Sequence, residues 1–141
     1  MFSTIVVNCL LVTIAVLIHY EALSWLSMKL AKASLPHRFK VIFGVFGALC
    51  AHSVEIWIFA FAYYFMLKSG DFGFFRGDFN GSMLDCSYYS FITYTSLGLG
   101  DIAPFGHLRF VTGMEALTGL VLISWTASFL FLEMQKLWNH K

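Results

Sequence analysis

The chain has 141 residues, of which 59% are hydrophobic and only 12% charged, and its mean hydropathy is +0.75. That composition lies outside the range of soluble domains and assigns the chain to a membrane. Nine basic residues against eight acidic ones leave a net charge of +1, with no basic run or groove, which argues against a nucleic-acid partner. The length suits one membrane domain, residues 1–141, without a separate soluble ligand-binding domain.

Three segments reach the roughly 20 apolar residues that cross the hydrocarbon: about 3–26, 41–66 and 107–138. The first has no basic stretch before it and no small-residue cleavage site after it, so it reads as a retained helix. Lys29, Lys32, Arg38 and Lys40 follow it with no acid beside them, which marks that loop as cytoplasmic. The loop at 67–81 is mixed in charge, with Lys68, Asp71, Arg76 and Asp78. The tail carries Lys136 and Lys141. The expected orientation is N-terminus outside and C-terminus cytoplasmic.

A short amphipathic segment precedes the third span. Ser82-Met83-Leu84-Asp85 fits a helix N-terminus with a serine cap and an acid in the first turn. The helix should end near Thr95, too short to span. Next comes Thr95-Ser96-Leu97-Gly98-Leu99-Gly100-Asp101. Gly98 and Gly100 can adopt positive φ at no Cβ cost. A strand alternating left- and right-handed residues turns successive carbonyls to one side, and several around an axis would replace the water shell of a cation. Backbone this irregular is tolerated at membrane depth only where protein buries it or it lines a watery path. The competing reading is a glycine-rich turn between two helices.

Thr-Ser-Leu-Gly-Leu-Gly-Asp-Ile-Ala-Pro resembles the filter of the potassium channel pore domain, usually Thr-Val-Gly-Tyr-Gly-Asp. The likeness covers about 82–132 and includes Pro104 and Gly106 after the filter. It implies an all-α membrane fold: three transmembrane helices, a re-entrant pore helix and a filter loop, four copies surrounding a central pore. The helix at 1–28 would be a peripheral addition, 39–67 the outer pore helix, 82–101 pore helix and filter, and 107–138 the inner pore helix. The resemblance assigns the ion-binding filter to Thr95, Ser96, Leu97, Gly98, Leu99 and Gly100, with K+ at the hydroxyl or carbonyls of Ser96, Leu97, Gly98 and Leu99. Leu97 and Leu99 would point away from the axis. Asp101 would be held by an aromatic donor on the pore helix, for which Tyr88 and Tyr89 stand in place of the usual tryptophans. Two departures are Ser96 for threonine and Leu99 for tyrosine. Leu99 forgoes a hydroxyl hydrogen bond of about 0.5–1.5 kcal/mol, which predicts a softer filter. Gate residues would be Gly113 and Gly119, either as hinges or as small residues for close packing, with Ser124 and Ser128 facing the inner cavity.

Glu21, His52, Glu55 and Glu115 fall within or beside apolar segments, where ionisable groups are costly. His52 and Glu55 share a helix face and, with His19, read as interhelical hydrogen bonds or as a metal or proton site. Cys9, Cys50 and Cys86 read as small buried side chains rather than a disulfide framework. Arg76-Gly77-Asp78 reads as a turn, and Asn80-Gly81-Ser82 is an external glycosylation sequon.

The resulting expectation is a non-enzymatic, passive potassium channel of the cell membrane, a homotetramer contacting lipid and potassium ions, with no cofactor beyond the permeant ion. No segment carries the repeated arginines of a voltage sensor. The rival readings are a weakly selective monovalent cation channel, a non-conducting subunit of a larger channel, and an intramembrane metal or haem protein built on His19, His52 and Glu55.

Overall fold

The computed structural model describes residues 1–138; Lys141 lies outside them. Among the described residues the order is α1 (Phe2–Lys32), α2 (His37–Ser69), β1 (Phe75–Gly77), α3 (Met83–Tyr94), β2 (Ile102–Pro104) and α4 (Leu108–Trp138). α1, α2 and α4 are each long and apolar enough to cross a membrane. α3, with 12 residues, is about 18 Å long and falls short of the roughly 30 Å hydrocarbon core.

Local chemistry sets the boundaries. Pro36 caps α2 with φ −55° and disfavours helix at Leu35 before it, so α1, which ends at Lys32, cannot run on into α2. Gly70 ends α2 in the left-handed conformation, φ 75°, which glycine adopts without penalty. α3 begins with a full capping box: Asp85 N donates to Ser82 Oγ at 3.0 Å, and Asp85 Oδ2 accepts from Ser82 N at 3.3 Å. Asn80 N donates to the same oxygen at 2.9 Å. These backbone donors, Asn80 foremost, hold the Asp85 carboxyl below its ordinary range because they favour the charged form.

α1 buries one stripe, Thr4, Asn8, Leu11, Ala15, His19, Leu23, Leu26 and Leu30, against α2 and α4. Its three-and-four spacing is that of a single helix face. Glu21 lies on the exposed side, away from the buried ionisable groups it was grouped with. α3 packs between α2 and α4. Of the cysteines, only Cys86 is buried; Cys9 and Cys50 are exposed, on the outer faces of α1 and α2.

The loop after α2 is tied down by a feature the sequence did not suggest. β1 and β2 form an antiparallel ribbon pairing Phe75 with Pro104, Arg76 with Ala103 and Gly77 with Ile102. Arg76 and Gly77 are therefore strand residues, not a free turn, and Asp78 N donates to Asp101 O at 3.2 Å. A Cβ on Gly77 would collide with the Asp101 carbonyl, and one on Gly73 with that of Phe105. Both glycines are there to let backbones touch.

Candidate functional site: the segment after the short helix

The chain leaves α3 through Thr95, whose backbone is still right-handed, φ −80°. Its hydroxyl turns back to Phe91 O at 2.7 Å, so it caps the helix instead of facing the next turn. Beyond it Ser96, Gly98 and Gly100 have φ of 57°, 51° and 82°. Leu97 and Leu99 between them are not in the left-handed region, and Ser96 is the only non-glycine residue with positive φ among those described. The alternation read from Gly98 and Gly100 is present and extends one step back, to a residue for which that conformation is uncommon. No atom crowds a Cβ at Gly98 or Gly100, so their requirement for glycine is conformational rather than steric.

Hydrogen bonds fasten the segment to the helix behind it. Ser96 N donates to Thr93 O at 2.9 Å and Gly98 N to Ile92 O at 3.0 Å. At the far end Tyr88 OH donates to Asp101 Oδ2 at 2.6 Å. That bond to a carboxylate raises the Tyr88 phenol above its ordinary pKa. Tyr89 does not share this role. Its hydroxyl pairs with Thr112 Oγ1 at 2.9 Å, and its ring packs on Phe75 and Tyr63 at centroid distances of 4.4 and 5.2 Å. Adjacent helix residues point about 100° apart, so only one of the two tyrosines can reach Asp101. Leu97 and Leu99 project outward, 62% and 61% exposed. An open groove of about 330 Å³ runs along the segment, lined by Ser96, Gly98 and Gly100 together with Ile92, Thr112 and Ala116.

On α4, Gly119 is a close-packing residue: an added Cβ would strike the carbonyl and ring of Tyr94. Gly113 borders open space. Ser124 and Ser128 are exposed, with their hydroxyls returned to Leu120 O at 2.8 Å and Ser124 O at 3.1 Å.

The buried ionisable residues separate into two networks. Glu115 accepts from Tyr63 OH at 2.6 Å and from Ser90 Oγ, fixing α2 and α3 to α4. The second joins all four helices. His19 Nδ1 lies 2.8 Å from Glu55 Oε1, His52 Nδ1 3.2 Å from Glu55 Oε2, and Tyr94 OH donates to Glu55. Thr126 Oγ1 meets His52 Nε2 at 2.9 Å and His19 Nε2 at 3.3 Å. The pairing of His52 with Glu55 was legible from their i,i+3 spacing, and His19 was expected as a partner from another helix. Tyr94 and Thr126 carried no local signal, because only the tertiary fold brings them in.

A search of curated proteins and of solved structures found no match to the chain. A family model described as an ion channel matches residues 39–136, which takes in α2, the ribbon, α3, the glycine segment and nearly all of α4. With three helices able to cross a membrane, the protein is a multi-pass integral membrane protein, and the ion channel match makes it a channel-type protein and not an enzyme. The chain belongs to the ion channel family.

Proposed function

We propose that the chain is a passive, potassium-selective channel that conducts through four copies of the segment Ser96–Gly100. The observation that carries this reading is the alternation of backbone hand along that segment, with positive φ at Ser96, Gly98 and Gly100 only. Alternating hand aims consecutive carbonyls the same way, and rings of such carbonyls can replace an ion's hydration shell. One strand cannot surround an ion, so the functional unit is a cyclic homotetramer. The exposure of Leu97 and Leu99 supports this, since a neighbouring copy can cover what the single chain leaves open.

In this reading α3 is a re-entrant pore helix. Its C-terminal carbonyl end faces the ion path and favours a cation there. Tyr88 and Asp101 clasp the outer end of the filter, and Gly119 sets how closely α4 approaches its inner end. Ser124 and Ser128 face the cavity below. The cluster Lys29, Lys32, Arg38 and Lys40 orients the α1–α2 loop to the cytoplasm, which puts the filter mouth and the β1–β2 ribbon outside, in a cell membrane.

The test is purified protein in liposomes under a potassium gradient, alongside its native mass in mild detergent. The reading expects four copies and a potassium flux that a quaternary ammonium ion blocks and sodium does not replace. Equal sodium and potassium flux would establish a weakly selective cation channel instead. A monomer or trimer that still conducts would contradict the architecture.

A further inference from the structure

The network of His19, His52, Glu55, Tyr94 and Thr126 takes no part in the filter, yet it occupies the point where all four helices meet. Its hydrogen bonds close in more than one way: with His52 Nδ1 accepting from Tyr94 OH at 3.0 Å, with one imidazole protonated, or with a cation at the two Nδ1 atoms. If each imidazole is neutral and donates from Nδ1 to Glu55, each Nε2 is an acceptor. Both Nε2 atoms face one hydroxyl, Thr126 Oγ1, at 2.9 and 3.3 Å. A hydroxyl has a single proton to give, so one buried ring nitrogen is left without a donor. A cation at the two Nδ1 atoms reverses this. The ring protons then sit on Nε2, and both donate to the two lone pairs of Thr126 Oγ1.

We propose that His19, His52 and Glu55 form a binding site for a divalent first-row transition-metal ion such as zinc. The ligands are His19 Nδ1, His52 Nδ1 and the Glu55 carboxylate, with water in the fourth position, a donor set that such ions favour. The ligating atoms lie within 4.8 Å of one another. In a tetrahedral zinc site with bonds of about 2.0–2.2 Å, neighbouring ligand atoms stand roughly 3.3 Å apart. Here the two nitrogen–oxygen separations, each to a different oxygen of the Glu55 carboxylate, are 2.8 and 3.2 Å, near that spacing, and rotation of the buried side chains would have to bring the three ligands onto one centre. His19 and Glu55 are fully buried, and His52 keeps 13% of its side chain exposed, which gives the ion a side from which to enter. Thr126, at both Nε2 atoms, and Tyr94, at Glu55, are positioning residues of the kind that hold metal ligands in orientation. Tyr94 is also the last residue of α3, directly before the glycine segment, so the ion would tie α1 to α2 beside that segment, with α4 held through Thr126.

The site is tested on the full chain in detergent, stripped with a chelator, dialysed against Zn²⁺ and measured by elemental analysis. The expected result is one ion per chain, a four-coordinate visible spectrum when Co²⁺ replaces zinc, and a higher melting temperature with Zn²⁺ present. His19→Gln and Glu55→Gln should lose all three effects. Because such variants can misfold, Thr126→Val is the second arm. It keeps every ligand and removes the shared acceptor, which should weaken binding about 10–100-fold. Zinc uptake equal in wild type and His19→Gln, whether at His37, His107 and His140 or nil in both, overturns the proposal in favour of an imidazolium–carboxylate pair. Binding is measured without conduction, so the result stands apart from the channel reading.

Discussion

Gly119→Ala tests the contact between α4 and Tyr94, which the proposed channel would use to hold the inner end of its filter. In a helix interior with free space, replacing glycine by alanine should stabilise by about 0.8–1.0 kcal/mol, through propensity alone. At Gly119 there is no free space: the new methyl would sit against the backbone carbonyl of Tyr94 as well as its ring. A backbone atom cannot rotate away, so α4 or the end of α3 must move. Overpacking of this kind costs about 1–3 kcal/mol, which outweighs or cancels the propensity gain and leaves a net loss of up to about 2 kcal/mol. Gly113→Ala is the matched control, since nothing lies within 4 Å of its Cβ; it should gain the propensity and disturb nothing. Thermal unfolding and potassium flux, measured side by side, should separate the two: Gly113→Ala at least as stable as wild type with flux unchanged, Gly119→Ala less stable than Gly113→Ala with flux reduced. A Gly119→Ala protein as stable and as conductive as Gly113→Ala would refute the close crossing of α4 over the end of α3.

Tyr88→Phe should loosen the outer end of the filter and increase sodium leak, read from reversal potentials, while Tyr89→Phe leaves the Asp101 contact intact and should not. The capping box predicts a pH dependence. The Asp85 carboxyl is held below its ordinary value, so its stabilising effect is complete at pH values above that of a free aspartate, about 3.9, and is lost as pH falls through the lower folded-state value. Asp85→Asn should remove that acid dependence, followed as helix content against pH. Leu99→Tyr should raise potassium-over-sodium selectivity if a missing hydroxyl limits it; an unchanged ratio in an intact assembly would rule the hydroxyl out.

Much of this arrangement was legible before any coordinates. The three spans follow from apolar length, and Ser82 with Asp85 marks the start of α3 because a capping box is local chemistry. The positive φ at Gly98 and Gly100 follows from the residue type. The ribbon escaped notice because its strands are three residues each, too short for alternation to register. Its signal lay in Gly73 and Gly77, whose lack of a side chain marks backbone contact. The choice between Tyr88 and Tyr89 was not local either, since it depends on how α3 is rotated against α2 and α4. For the same reason Glu21 faces outward while Glu55, buried in the same bundle, becomes the centre of a four-helix network.

If the backbone alternation at Ser96, Gly98 and Gly100 makes the ion path, conduction must depend on the hand of those residues. The most direct test is the reversal potential of reconstituted wild type and Gly98→Ala in mixed sodium and potassium. Within the chain no atom crowds the Gly98 Cβ, while its φ of 51° is one that alanine rarely adopts, so the substitution strains the backbone itself. Wild type should follow the potassium gradient, and Gly98→Ala, still assembled, should lose selectivity or current. A Gly98→Ala protein conducting potassium selectively at the wild-type rate would contradict it.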